Sequence, residues 1–84
     1  MPEICRIGKI IITIYHRGEH WYPHFHAKYG EHKVSIAIGT LEVLEGELPP
    51  VQLTKVKKWA KKHKDGLLER WKLAMNNKPI PKFE

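Results

Sequence analysis

Isoleucines and other apolar residues crowd and alternate through the first half of the chain, then recur at three- and four-residue steps through the second. That change of period predicts strands followed by helix. Ile7 to Tyr15, ahead of the turn-prone Arg17-Gly18-Glu19, predicts a first strand. His24 to Tyr29 predicts a second. Gly30-Glu31 fits a two-residue hairpin turn with glycine at its first central position, so that His32 to Ile38 returns as a third strand. Gly39-Thr40 interrupts it. Leu41 to Leu44 predicts a short fourth strand, and Gly46 with Pro49-Pro50 closes the β-rich half.

From Pro50 to Asn77 the pattern is helical. Leu53, Val56, Ala60, His63, Leu67, Trp71 and Ala74 form the apolar stripe, and lysines occupy the other faces. Pro49 and Pro50 suit the first turn, and Pro79 and Pro81 follow the end. Gly66 costs about 1 kcal/mol relative to alanine inside a helix, which makes its neighbourhood the expected place for a kink or split. An unbroken helix of this length reaches roughly 40 Å, against about 23 Å for a seven-residue strand, and would overhang the sheet. Its far end carries Leu67, Leu68, Trp71 and Met75, so a second helix folded back, a partner, or a second copy of the chain is expected to cover it. The tail, residues 78–84, is expected to be extended and loosely held. The fold class is therefore α+β: a three- to four-stranded antiparallel sheet with a long amphipathic C-terminal helix, kinked or split near Gly66, on one face.

The hairpin fixes a register. If Tyr29 pairs with His32, then Phe25 lies opposite Ile36 and Ala27 opposite Val34 on an apolar side that must meet the helix. The reverse side places His24 opposite Ala37, His26 opposite Ser35 and Lys28 opposite Lys33. Both imidazoles are then expected to be bare to solvent. Two directly opposed lysines are unfavourable by about a few tenths of a kcal/mol unless an anion lies between them, which makes this side a candidate phosphate platform. With Ile10, Ile12 and Ile14 facing the helix, Ile11, Thr13 and Tyr15 turn to the histidine side.

Length and charge bound the function. A chain of 84 residues makes one domain whose core is small, burying roughly 60% of the surface that the unfolded chain exposes. Its 15 Lys and Arg against 9 Asp and Glu give a formal net charge of +6, which favours anionic partners such as nucleic acid or an acidic protein. Cys5 is the only cysteine, so an intrachain disulfide is excluded, and it is expected to pack as a half-buried small side chain. The run from Ile10 to Ile14 is too short to cross a bilayer, and a soluble cytoplasmic protein is expected.

Five of the six histidines, His16, His20, His24, His26 and His32, fall within 17 residues. Three chemistries compete for them. His24-x-His26 puts two imidazoles on one strand face, a spacing that can chelate zinc if His20, His16 or Glu19 supplies further ligands. Alternatively, His24 and His26 serve as base and acid in RNA cleavage that needs no metal or other cofactor, with Arg17, Lys28 or Lys33 on the phosphate, Ser35 beside them and Tyr15 as an orienting hydroxyl. Or the rings are structural, bonded to backbone carbonyls at a strand entry. Trp21 and Tyr22 are expected to cover a core edge, Trp59 and Trp71 to anchor packing, and the lysines of the helix to be a solvated face.

Met1-Pro2-Glu3-Ile4, Glu19-His20, Pro23-His24-Phe25-His26-Ala27, the stretch from Leu41 through Glu42-Val43-Leu44-Glu45-Gly46-Glu47-Leu48 to Pro49, Trp59-Ala60 and Leu67-Leu68-Glu69-Arg70-Trp71 resemble a family of small bacterial proteins, domain of unknown function 4160. The likeness covers almost the whole chain. In that family the histidine string often follows two prolines, where this chain has Tyr22-Pro23. The resemblance implies a gene pair with a second small protein, in which this type of chain is the toxin-like member and its neighbour the antitoxin-like partner. It marks His24, Phe25 and His26 as family-matching positions, with His20 beside them. RNA or DNA action by such a toxin-like component is one expectation, and a non-enzymatic metal- or DNA-binding regulatory module is the other.

Overall fold

The computed structural model describes residues 3–14 and 22–83. Its architecture is α+β, with five strands rather than three to four. They are β1 (Glu3–Ile7), β2 (Ile10–Thr13), β3 (His24–Tyr29), β4 (His32–Ala37) and β5 (Val43–Gly46), joined in chain order into one antiparallel sheet. The single strand expected from Ile7 to Tyr15 is the second arm of a hairpin. Gly8 takes φ +60 and turns the chain with Lys9, so that Ile7 pairs with Ile10. A register shift between Glu3 and Cys5 places Ile4 and Cys5 together opposite Ile12, a bulge that buries Ile4 fully.

The β3–β4 hairpin has the expected register throughout, from Tyr29 opposite His32 to His24 opposite Ala37, with Gly30 at φ +59 in the turn. The fourth strand of the sequence reading begins two residues later than expected. Leu41 adopts φ +63 and its amide donates to Ala37 O at 2.9 Å, so pairing with β4 resumes only at Val43. At the other end of β5, Gly46 has φ +76, and a Cβ there would collide with the Lys33 carbonyl oxygen. Only glycine lets the chain pass this close, and Glu47 N then donates to that same carbonyl at 3.1 Å.

The expected long helix is two: α1 (Pro50–Lys62) and α2 (Lys64–Met75). The break falls at His63, with φ −115 and ψ 23, three residues before Gly66. α1 lays Val56 and Ala60 on the sheet, where Trp59 meets Phe25 edge-on with ring centroids 6.2 Å apart. α2 buries Leu67, Trp71 and Ala74. The apolar end expected to overhang is thus packed within the chain, apart from Met75, which stays 48% exposed. One core joins the inward isoleucines of β1 and β2 and Ile38, just beyond β4, to Phe25, Val34, Ile36, Leu48, Val56, Leu67 and Trp71.

The segment after α2, expected to be loosely held, is extended and docked. Phe83 N donates to Ile4 O at 2.7 Å beside the β1 edge. The Arg70 guanidinium lies 3.6 Å from the Phe83 ring centroid and donates to the carbonyls of Pro81 at 2.9 Å, Gly66 at 2.9 Å and Lys82 at 3.4 Å. Cys5 is half-buried against the core and is a free thiol.

Candidate functional site

One face of the sheet lies under the helices; the other carries His26, and α2 reaches round only to its His24 end through Trp71. Pairing across the strands arranges the outer face in two rungs. One runs Glu3, Thr13, His26, Ser35, Glu45; the other runs Arg6, Ile11, Lys28, Lys33. At the centre of the polar rung, His26 Nδ1 and Ser35 Oγ are 3.2 Å apart, and the His26 Nε2 is buried. His26, Lys33, Ser35 and Glu45 line an open cleft of about 230 Å³, floored by Val34 and Gly46. Lys28 and Lys33 are both exposed and directly opposed.

The outer end of the basic rung is neutralised locally. Arg6 donates to both oxygens of Glu3, at 2.8 and 3.1 Å. That hydrogen bond, with the attraction of the guanidinium, holds the Glu3 carboxyl below its ordinary pKa and raises that of Arg6. Lys28 and Lys33 therefore carry the exposed positive charge of the face.

His24 does not share the cleft. It is only 4% exposed, and its Nδ1 lies 2.9 Å from the Tyr22 carbonyl oxygen, so the ring nitrogen is the donor. Trp71 of α2 closes over it, with ring centroids 4.8 Å apart. The expectation that both imidazoles are bare to solvent is corrected on this side. A strand's alternation settles which way a side chain points, and α2 settles that this one is covered. His24 still touches His26 edge-on, with centroids 5.0 Å apart, so the sealed ring braces the one in the cleft.

Of the residues singled out from sequence, the structure brings His26, Lys33 and Ser35 together in the cleft, with Lys28 adjacent, and withdraws His24. Tyr15, His16, Arg17, Glu19, His20 and Trp21 lie outside the described residues. Among the described residues, no group of three or more His, Cys, Asp or Glu is placed to hold a metal ion, and His24, with Nδ1 engaged and its ring under Trp71, is poorly disposed to contribute. Sequence reasoning missed Glu45 and the Arg6–Glu3 pair. The missing signals were the register of β5 after Leu41 and the hidden turn at Gly8-Lys9. His32 is exposed in the hairpin turn region, and His63 caps α1 beside Trp59 and Phe83.

With this geometry in place, the comparison with known families is decisive for kinship alone. The model of domain of unknown function DUF4160 matches residues 10–72. The chain belongs to this family. The match takes in β2 to β5, α1 and most of α2, hence His26, Ser35, Lys28, Lys33 and the Trp71 lid, and it stops short of the docked tail. No curated protein and no solved structure matches the chain. No helix among the described residues is long and apolar enough to cross a membrane.

Proposed function

We propose that this DUF4160 member is the toxin-like component of a bacterial two-gene module, working in the cytoplasm with a small cognate partner, and that it acts on RNA through the outer sheet face around His26. The observation that supports this reading is the opposed Lys28 and Lys33 beside the His26–Ser35 contact. Facing cations on neighbouring strands repel by about a few tenths of a kcal/mol, and a phosphate between them turns that repulsion into binding. The hydroxyl next to the imidazole supplies the proton chemistry. In cleavage without metal, Ser35 relays the 2′-hydroxyl proton to His26 as the 2′ oxygen attacks phosphorus. The imidazolium returns that proton to the departing 5′ oxygen, and Lys28 and Lys33 balance the phosphate charge. His24 is a positioning residue in this scheme, because its ring is sealed.

The test uses untagged protein, defined RNA and chelator, alongside expression in growing cells. The wild type is expected to arrest growth and cleave RNA with chelator present. His26→Ala and Lys28→Gln/Lys33→Gln are expected to lose both activities while remaining folded. Undiminished growth arrest by a folded His26→Ala protein would reject the reading.

A further inference from the structure

The outer sheet face does not hold the molecule's excess charge. Lys55, Lys57, Lys58, Lys61, Lys62 and Lys64 fall within ten residues that contain no Asp or Glu. The other nine Lys and Arg are matched by the chain's nine Asp and Glu, so the whole formal net charge of +6 belongs to this one segment. Its lysines are exposed except Lys57, which is half-buried, and among the described residues no carboxylate bridges to any of them.

α1 shapes that charge into a surface. Val56 and Ala60 face the sheet, with Leu53 and Trp59 beside them. At about 100° per residue, Lys55, Lys58 and Lys62 then run along one flank of the solvent side, and Lys57 and Lys61 along the other. Lys64 extends the patch just past the break at His63. The crest between the rows holds Thr54, whose hydroxyl is occupied by Pro50 O at 2.9 Å. No Arg, Asn or Gln stands on the exposed side to read a base edge.

We propose that the outer face of α1 binds the phosphate backbone of duplex DNA, lying in the major groove without sequence preference. Charge and width both suit α1 to this groove. A helix about 10–12 Å across fits a B-form major groove about 12 Å wide, where two lysine rows reach the two flanking backbones. The deep, narrow major groove of A-form RNA does not admit it. α1 packs on the face of the sheet opposite His26, so this surface is independent of the RNA reading, and each can fail alone.

The experiment is fluorescence anisotropy of the full chain with a labelled duplex of ~20 bp DNA, and with duplex RNA of the same sequence, from about 50 to about 200 mM salt. The expected slope of log affinity against log salt is about −5, as for five or six neutralised phosphates. Lys58→Gln/Lys62→Gln, which keeps helix propensity and is checked by circular dichroism, is expected to flatten the slope by about 2. Lys28→Gln/Lys33→Gln is expected to leave it unchanged, and duplex DNA is expected to bind more tightly than duplex RNA. A slope that ignores the α1 variant, loss of binding in the sheet variant, or equal affinity for both duplexes would overturn the proposal. So would absence of DNA binding at the lowest salt, which would leave the lysines to an acidic protein.

Discussion

Two histidines two residues apart on β3 carry different burdens, and stability measurements should separate them. His24 is packed under Trp71 and donates to the Tyr22 carbonyl, so His24→Ala opens a cavity and removes a part-buried hydrogen bond. A loss of about 2–4 kcal/mol in urea unfolding is expected. His26 borders an open cleft, where its hydrogen bond to the Ser35 hydroxyl is part-buried and its ring meets His24 edge-on, so His26→Ala should cost less, about 1 kcal/mol. This contrast decides how activity data are read. Inactivity of His24→Ala reports a loosened β3, whereas inactivity of His26→Ala reports lost chemistry. Equal losses for the two variants would show that Trp71 does not bear on the His24 ring.

Among the elements, the docked tail makes the least expected demand. Arg70 reaches three carbonyls, and its guanidinium plane lies over Phe83, a geometry that lysine cannot reproduce. Arg70→Ala should release the tail, raising hydrogen exchange at the Phe83 amide by at least about tenfold at a cost of about 1–2 kcal/mol, and Arg70→Lys should not restore protection. An unchanged Phe83 amide would mean that the bond to Ile4 and the packing of the Phe83 ring on Trp59 and His63 hold the tail without Arg70. Such contacts leave no mark on sequence periodicity, because Arg70, Ile4 and Phe83 are brought together only by the folded chain. What local chemistry controls was legible: Gly30-Glu31 set the β3–β4 register, and with it the opposition of His26 to Ser35 and of Lys28 to Lys33. The turn at Gly8-Lys9 has the same glycine-first form, but it is masked by apolar residues on both sides that read as one run. The helix breaks at His63 although neither glycine nor proline stands there, while Gly66 lies inside α2, where the Phe83 ring occupies the place a side chain would take.

At the scale of the whole molecule, the lysines of α1 work against the fold they decorate. Lys58 has Lys55 three residues before it, Lys61 three after and Lys62 four after, and like charges at those spacings destabilise a helix by about 0.2–0.5 kcal/mol per pair. No acidic residue occupies the first turn of α1 to offset them at the helix N-terminus. Repulsion between exposed charges is screened within roughly 8–10 Å at physiological salt, so the wild type should become more stable as salt rises from low ionic strength. Lys58→Glu turns three repulsive spacings into attractive ones. It should raise stability at low salt by about 1 kcal/mol and flatten or invert the salt dependence, while weakening any polyanion bound to this face. Thermal unfolding of both proteins across a salt series measures the effect directly. A wild type indifferent to salt, with Lys58→Glu no more stable, would mean that the lysine array is already relieved within the fold. The opposite pattern would identify α1 as a surface whose charge costs stability in the free protein, as expected where an anionic partner recovers that cost on binding.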